Sequence, residues 1–288
     1  MRLMRVFAAA AVLSLMGAGL AHAAGPLNPG SGNLGFTMMA GYNASYLDYK
    51  ETAEGMGTLD RDYGYLNGLD AELRYEGGLV WTRFTADCSW TTNATYDGSV
   101  QMWDGTLVPD KFSTREKIYL YEGDLGFKVL NVKTGTLTPY VGIGRRIWWR
   151  GTDMLPDYIE KYSWYFGSIG LNYVWRADRL TVGADVAAHL PFNMRMTTNT
   201  AGLYDETTFK IKKRVGFEGR LPFTYDVYRH SPVKMFFFLT PYYQYWSIGA
   251  SEPVQLTRNG VPLPGKIEYE PDSRTDIYGA DVGAGVNF

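Results

Sequence analysis

The last ten residues, Gly279 to Phe288, read GADVGAGVNF and alternate between two kinds of side chain. In an extended strand, successive side chains point to opposite faces. One face of this stretch is apolar and the other is small or polar, consisting respectively of Ala280, Val282, Ala284, Val286 and Phe288, and of Gly279, Asp281, Gly283, Gly285 and Asn287. The chain therefore ends in a predicted strand with one side suited to hydrocarbon and one suited to water.

The spacing of four residues in this strand is more specific than the alternation alone. A polar Asp281, a glycine at Gly283, an apolar Val286 and a terminal aromatic Phe288 resemble the C-terminal assembly signal of bacterial outer-membrane β-barrels. The resemblance implies a barrel in the outer membrane and, as a partner, the machinery that assembles such barrels. The alternative is an ordinary amphipathic edge strand of a soluble sheet.

The other terminus has the pattern of an export signal. Arg2 and Arg5 precede an apolar run from Val6 to Leu20, and Ala21-His22-Ala23 has the small-x-small pattern of a signal-peptidase site. An uncleaved anchor is the alternative, but the run is short for a spanning helix. The predicted division is a signal peptide over 1–23, a short leader over 24–32 and a transmembrane β-barrel domain over 33–288.

Composition excludes several classes of protein. The single cysteine, Cys88, allows neither an intrachain disulfide nor a cysteine-type metal site, and a formal net charge of −2 gives no basic surface for nucleic acid. Aromatic residues make up 15% of the chain, and no run beyond the signal peptide approaches the length of a spanning helix. A chain of this kind can still cross a membrane as a closed barrel, which satisfies its backbone hydrogen bonds internally. We expect no cofactor and no metal.

Period-two alternation recurs along the chain and predicts an all-β fold, an up-and-down antiparallel transmembrane barrel of ten strands. The predicted strands cover about 34–49, 63–75, 79–92, 114–129, 136–151, 162–175, 180–192, 208–223, 233–248 and a last strand ending at 288. Their connections alternate between short and long, as expected for periplasmic turns and external loops. A soluble sandwich is the alternative, but its strands are usually shorter.

Three local features accompany this assignment. The long predicted loops are 50–62, 93–112, 195–207 and 250–274, and 226–232 is a predicted turn. Arg145 interrupts the outward apolar pattern, which suggests a β-bulge near it. Aromatic residues near strand ends fit interfacial girdles, with core packing as the other interpretation, and these are Tyr46, Trp149, Trp175 and Tyr245.

The inward faces of the predicted strands carry charges of both signs. The predicted lumen network consists of Asp70, Glu72, Arg74, Arg83, Asp87, Glu122, Asp124, Arg146, Asp185, His189, Arg214, Glu218, Arg220 and Asp281. Lys210, Lys212 and Asn193 are also assigned to inward faces. Buried charges are costly unless they are paired, so we expect interlocked salt bridges at mid-height and a plugged, polar lumen. A selective small-solute channel lined by these charges is the alternative.

Strand number and loop alternation also resemble the omptin surface proteases, which place an acidic pair and an Asp/His pair at the external mouth. The corresponding loops here offer Asp97 and Asp104, and Asp205 and Glu206, but Thr207 stands where a histidine would be wanted. His22 is in the signal peptide and His230 is in a predicted turn. The omptin catalytic histidine pattern is therefore missing from the sequence.

His189 is the remaining histidine. It shares an inward face with Asp185, but four residues along a strand put them roughly 13 Å apart, too far for a direct dyad. Outer-membrane lipases and deacylases pair a histidine with a nucleophilic serine on an outward face, whereas the context of His189 is AAHLPFN. We therefore expect no enzymatic activity, with an omptin-like hydrolase as the third alternative after a channel.

The expected partners are outer-membrane lipid and lipopolysaccharide. Lys210, Lys212, Lys213 and Arg214 form a basic cluster that could pair with lipopolysaccharide phosphates, or could be a solvated wall. The sequence identifies no ligand for the loops. It favours a structural or surface-interaction protein of the outer membrane.

Overall fold

The computed structural model describes residues 35–53, 57–101, 106–152, 158–200, 202–230 and 233–288. The predicted signal peptide and leader, and Asp104 with them, lie outside these residues. Fifteen β-strands are present: β1 Gly35–Ala53, β2 Gly57–Gly77, β3 Val80–Gln101, β4 Leu107–Phe127, β5 Leu130–Val132, β6 Gly135–Thr152, β7 Tyr158–Ala177, β8 Leu180–Thr200, β9 Thr207–Lys212, β10 Gly216–Arg220, β11 Phe223–His230, β12 Val233–Ser251, β13 Val254–Arg258, β14 Val261–Glu268 and β15 Asp272–Asn287. In the described residues no helix is long and apolar enough to cross a membrane.

The strands close into one antiparallel ring. Neighbours pair in the order β1, β2, β3, β4, β6, β7 and β8, and β12 pairs with β15, which pairs with β1. The short strands β9, β10 and β11 follow one another between β8 and β12, and each pairs with both. Counted as one wall segment, they complete a ring of ten. The predicted ten-stranded up-and-down barrel is confirmed.

The last strand closes this ring. Val286 pairs with Met38 of β1 and with Met235 of β12, and the Phe288 amide donates a hydrogen bond of 2.9 Å to the Phe36 carbonyl. Both edges of β15 are therefore paired, so no sheet edge remains in the ring.

Strands extend further than predicted on the side of the long connections. β1 continues to Ala53 and β2 begins at Gly57, so the predicted loop over 50–62 is mostly paired strand. The same correction applies to 93–112 and 195–207, and 250–274 contains the β13–β14 hairpin. On the opposite side, β11 runs to His230 through the predicted turn over 226–232. The extensions hold buried side chains between them, which favours pairing over open loop.

No bulge is present at Arg145. Pairing is continuous on both sides of it, to Tyr121 and Tyr165, and its guanidinium lies 5.2 Å from the ring centre of Tyr165. The register of β7 and β8 instead shifts between Ser163 and Tyr165. Asn193, in the extra stretch of β8, has φ 57° and is exposed, so its predicted inward position is wrong.

The outer surface carries an apolar band that is bordered by girdles of aromatic residues. Large exposed side chains of the band include Leu69 (58% exposed), Ile143 (62%) and Ile169 (61%). At the end facing the long connections, the ring of Tyr46 lies 5.2 Å from that of Tyr65 and 5.3 Å from that of Tyr278. Such a band between aromatic girdles is the surface that a bilayer requires.

Candidate functional site in the barrel lumen

The lower lumen, nearer the short turns, contains a buried ion-pair centre at Arg83. Its guanidinium contacts Asp124 at 2.8 Å and Asp185 at 2.7 Å. Asp124 faces Arg83 directly across the β3–β4 pair, whereas Asp185 reaches it from β8. Tyr140 donates to Asp185 at 2.6 Å and Asn172 donates to it at 2.9 Å. Two carboxylates thus share one guanidinium, and two neutral donors complete the contacts of Asp185, an arrangement that holds several wall segments together.

A second centre surrounds Arg220. Its nitrogens lie 3.0 Å from Glu218, 3.4 Å from Asp281 and 3.7 Å from Asp87. Asn43 donates to Asp281 at 2.5 Å. A cavity of about 40 Å³ lies between the two centres, and its lining includes Asp70, Glu72, Arg74, Arg83, Asp87, Asp185, Arg220 and Asp281. This volume has room for a few ordered waters and none for an organic solute.

Pairs that the sequence did not predict lie at the lower rim. Lys128 contacts Glu76 at 2.9 Å, and Arg176 lies 3.8 Å from the same carboxylate. Arg74, from the predicted set, pairs with Glu72 at 2.6 Å. Lys128 is assigned to the inward face of the predicted strand over 114–129, whereas Glu76 lies one residue beyond the predicted strand over 63–75, so extending the alternation by one residue would have included Glu76.

The register brings a serine to His189. Ser168 of β7 faces His189 of β8, with 3.0 Å between Oγ and Nδ1, and its hydroxyl also donates to Glu122. Inspection of residues adjacent in sequence could not reveal this pair. The carboxylate contacts the serine and not the imidazole, unlike a Ser–His–acid triad, and neither lumen cavity is lined by Ser168 or His189. The hydroxyl of Ser168 thus connects the carboxylate of Glu122 to the imidazole of His189.

Above these charges, the lumen is apolar. Seventeen buried residues form one hydrophobic cluster, namely Leu47, Tyr49, Leu66, Ile118, Leu120, Trp148, Tyr162, Trp164, Phe166, Met194, Met196, Phe209, Ile211, Tyr242, Trp246, Ile248 and Ile277. The expected interlocked salt bridges are present at Arg83 and Arg220, but the expected wholly polar filling is wrong because of this apolar layer. The inward alternation holds, but its polar residues lie toward the ends of the barrel and its apolar residues between them.

Arg146 lies in this apolar layer and is not part of an ion pair in the described residues. Its side chain is fully buried, and its guanidinium carbon lies 5.5 Å and 5.1 Å from the ring centres of Trp164 and Trp246. The three guanidinium nitrogens have no hydrogen-bond partner among the described groups. Cation–π contact with two indoles is therefore the interaction that holds this predicted lumen charge.

Arg214 lies outside the lumen network. Its side chain is 54% exposed and contacts Asp272 at 3.0 Å near the upper rim. The wall segment is interrupted between β9 and β10, and the alternation changes phase there: Phe209 and Ile211 are buried, while Lys210 and Lys212 are exposed. The predicted inward positions of Lys210, Lys212 and Arg214 are wrong for this reason.

A layer of carboxyl groups lies above the apolar layer, beyond the aromatic girdle that contains Tyr46. We call it the mouth cluster, defined as Glu51, Asp60, Asp62, Glu116, Arg150, Glu160 and Glu270. Arg150 contacts Glu51 at 3.1 Å, Glu160 at 3.0 Å and Asp62 at a shorter distance. The sequence does not reveal this cluster, because its residues fall mostly in predicted loops or at strand ends.

Aromatic hydroxyls and an indole complete the mouth cluster. Tyr162 donates to Glu270 at 2.8 Å, Tyr49 donates to Glu51 at 2.6 Å, and Trp148 donates through Nε1 to Glu116 at 2.7 Å. The ring of Trp148 stacks on that of Tyr162 at 4.8 Å. The cluster therefore rests directly on the upper surface of the apolar layer.

Burial controls the protonation of these carboxyls. It raises the pKa of Glu51 and of Glu116 to about 8 and that of Asp62 to about 6, and the nearby Arg150 only partly offsets the effect. The pKa of Glu270 is raised well above its ordinary value for the same reason, with added repulsion from Glu51. Glu51, Glu116 and Asp62 are therefore poised to exchange protons between mildly acidic and mildly alkaline pH.

The residues proposed from the omptin resemblance have other contacts. Asp97 pairs with Lys111 at 2.8 Å on the surface. Asp205 accepts hydrogen bonds from the Thr257 hydroxyl at 2.6 Å and from the amides of Asn259 and Gly260 at 2.9 Å. Asn259 and Gly260 form the β13–β14 turn, with φ 52° and 75°. Asp205 thus holds the tip of this hairpin.

Among the described side chains, no group of three or more His, Cys, Asp or Glu is arranged to hold a metal ion. No family model matches the sequence, and no curated protein matches it. Among solved structures, the outer membrane protease OmpT from Escherichia coli is similar, with a TM-score of 0.58 and 12% identity over 91% of this chain and 98% of that one. The chain has the outer-membrane β-barrel fold.

Two other similar structures are OprG from Pseudomonas aeruginosa and the translocator domain of the autotransporter NalP from Neisseria meningitidis. OprG has a TM-score of 0.40 and 12% identity, covering 90% of this chain and 98% of its own. The NalP domain has a TM-score of 0.41 and 12% identity, covering 98% and 97%. At 12% identity, the likeness of this chain to OmpT concerns the fold alone.

Proposed function

We propose that this outer-membrane barrel is closed to solutes and serves as a structural or surface-interaction protein. The observation that carries the proposal is the apolar layer across the lumen. Trp148, Trp164 and Trp246 are each at most 1% exposed, although they point into the barrel. A cation crossing the layer would lose its hydration and would meet the like charge of Arg146 there, and hydrophobic constrictions of this kind exclude water.

A small-solute channel is the second candidate, and the lower lumen is the feature that favours it. The cavities beside Arg220 have volumes of about 40 and 20 Å³, and both are lined by Asp87. They form a polar pocket below the layer formed by Leu66, Ile118 and Ile277. A conducting path would require these apolar side chains to separate.

The hydrolase alternative has less support from the contacts. Asp205 is engaged by the hairpin turn and Asp97 by Lys111. Ser168 is 3% exposed and His189 is 1% exposed, so a substrate would have no access to this pair. We therefore propose that the chain has no hydrolytic activity.

Lipopolysaccharide is the proposed lipid partner, because basic side chains lie on the outer wall just above the girdle. Lys117 pairs across the sheet with Trp149, which pairs with Lys161, and Arg195 pairs with Lys210 in the next row. All four basic residues are exposed. Phosphate groups of the outer leaflet would lie at this level, where lysine and arginine bind them well.

Conductance of the refolded mature chain in planar bilayers tests the closed-barrel proposal. We expect no steady current steps at either polarity. Insertion is verified independently by protease protection of the reconstituted protein, so that silence cannot result from a failure to insert. Steady unitary conductance of the unaltered chain would contradict the proposal and favour the channel.

Thermal unfolding in vesicles tests the lipid proposal. We expect vesicles containing lipid A to raise the Tm above that in phosphatidylglycerol vesicles of equal charge. The quadruple variant K117Q/K161Q/R195Q/K210Q should lose this difference. K133Q, in an exposed turn at the opposite end, is the matched control and should retain it. An equal Tm in both vesicles for the unaltered chain would dismiss lipopolysaccharide as a specific partner.

A further inference from the structure

The mouth cluster has far more acid than base. It contains six carboxyl groups and one guanidinium, and its ion pairs within the described residues all end on Arg150. Asp62 and Glu116 are fully buried. Buried negative charges that greatly outnumber their counter-charge are strongly destabilising, so a closed cluster must hold protons on some of its carboxyls.

Unpartnered oxygens in the cluster support this charge count. Asp62 Oδ1 accepts no hydrogen bond in the described structure, and the hydroxyl of Ser273, which is buried, has no partner there either. An ionised buried oxygen without a donor is costly, whereas a protonated carboxyl loses that penalty and can donate in turn. The geometry is thus better suited to neutral carboxyls than to a complete set of carboxylates.

Glu270 connects this cluster to the β13–β14 hairpin. Its carboxyl accepts from Tyr162, while its backbone is held by Ser251, whose Oγ lies 2.8 Å from the Glu270 amide and whose own amide donates to the Glu270 carbonyl at 2.9 Å. β14 ends two residues earlier, at Glu268. Leu256 of the hairpin is 6% exposed, so the hairpin packs on the barrel. A displacement of Glu270 would therefore pull on the base of the hairpin.

We propose that the mouth cluster is a proton-dependent latch for the β13–β14 hairpin. With protons on its carboxyls, the cluster is compact and Glu270 stays bound. When the cluster ionises, repulsion among Glu51, Glu160 and Glu270 drives Glu270 outward and loosens the hairpin. The other titratable groups that face the cluster are Tyr49 of β1, Tyr96 of β3, Tyr158 and Tyr162 of β7, and Glu268 at the end of β14.

The direction of the response follows from the pKa shifts. Because burial raises the pKa of Glu51 and Glu116 from 4.5 to about 8, their contribution to the closed state is fully present at acidic pH. This contribution declines as the pH rises above 4.5, the ordinary pKa of a glutamate, and is lost once the pH passes about 8. The pKa of Asp205 is lowered by its hydrogen bond to Thr257, so this clamp stays ionised throughout and does not cause the change.

Limited trypsin cleavage of the full-length chain in vesicles tests the latch. Arg258 and Lys266 lie in the hairpin and are exposed. Rates at pH 6 and pH 9 are each divided by the rate for an unstructured peptide, which removes the pH dependence of trypsin itself. We expect the corrected cleavage of the unaltered chain to be about tenfold faster at pH 9, the factor for one pKa unit of linkage.

The variant E51Q/E116Q should flatten this ratio because amides cannot ionise. D97N, which alters a surface pair outside the cluster, is the matched control and should keep it. Hydrogen exchange of the Leu256 amide in the unaltered chain, corrected for intrinsic exchange, gives a second readout that needs no variant, and it should also accelerate at pH 9. Equal corrected cleavage and equal exchange at the two pH values would overturn the proposal, as would an unchanged ratio in a folded E51Q/E116Q.

Discussion

The guanidinium of Arg146 lies inside the barrel, 5.1 Å from the ring centre of Trp246, and none of its nitrogens has a hydrogen-bond partner among the described groups. Trp246 also stacks on His189 at 5.0 Å and meets Phe166 edge-on at 5.2 Å. One indole thus joins a cation, an imidazole and a phenyl ring across the lumen. We expect closure of the lumen to depend on this indole more than on any salt bridge.

Replacement of Trp246 by alanine should open the lumen. The change removes a fully buried indole and leaves a space beside a charged group, which water can enter. We expect brief conductance steps in planar bilayers where the unaltered chain gives none. Trp175→Ala, at a lipid-facing position that is 41% exposed, is the matched control and should stay silent. Silence from a correctly inserted Trp246→Ala would show that closure lies elsewhere.

Replacement of Arg83 by methionine should destabilise the barrel by about 3–5 kcal/mol, the range for a buried charge that loses its partner. Asp124 and Asp185 would remain buried without their shared guanidinium. Urea unfolding in vesicles measures the loss. The variant R83M/D124N/D185N should recover most of it, because the stranded charges are gone. Equal destabilisation of the single and triple variants would mean that packing, and not charge, is responsible.

Replacement of Phe288 by alanine should slow assembly more than it weakens the folded barrel. Its side chain is 49% exposed on the outer face, while its backbone amide, which the substitution keeps, bonds to Phe36. Folding rates with and without the assembly machinery, measured by band shift, separate the two effects. We expect the machinery to accelerate the variant less than the unaltered chain. Val282→Ala, on the same outer face, controls for lost apolar surface.

Replacement of Asp205 by alanine should free the tip of the β13–β14 hairpin without unfolding the barrel. Three hydrogen bonds to Thr257, Asn259 and Gly260 disappear together. Trypsin should then cut at Arg258 several-fold faster, while the Tm of the barrel stays within error. Glu206→Ala removes the exposed neighbouring carboxylate, and trypsin should cleave this variant at the rate of the unaltered chain. Identical rates for both variants would remove Asp205 from this role.

Near-ultraviolet circular dichroism should change with pH through the stacked pair of Trp148 and Tyr162. The pKa of Glu116, which accepts from the Trp148 indole, is raised by burial to about 8. Raising the pH through this value charges the carboxyl beside the stack, so the aromatic signal should decline between pH 6 and pH 9. Glu116→Gln should keep the signal of pH 6 at pH 9. A change of equal size in this variant would assign the transition to another group.

Much of the fold could be predicted from the sequence because alternation is local. Residues such as Val182 and Asp185 reveal their faces by parity alone, and Asp281, Gly283 and Phe288 mark the closing strand. Alternation no longer predicts the inward and outward faces where the strand is interrupted. The break after Lys212 changes the phase of the strand, and no feature of the basic run KIKKR indicates it.

The candidate site was less accessible to sequence reasoning. Ser168 meets His189 only because β7 and β8 pair in one register, and register depends on the whole ring. The mouth cluster likewise gathers Asp62, Glu116 and Arg150 from three strands around the barrel. Alternation predicts that such residues point inward, but it does not predict their height within the barrel, and height separates the charged layers from the apolar one.

The apolar layer also separates two groups of charged side chains inside the barrel. The centres at Arg83 and Arg220 lie on one side of it and the mouth cluster on the other, without a shared partner among the described residues. Substitutions made on opposite sides should therefore contribute independently to the free energy of unfolding. The half with the long connections can then respond to the acidity of its surroundings, or diverge in sequence, while the half with the short turns keeps its geometry.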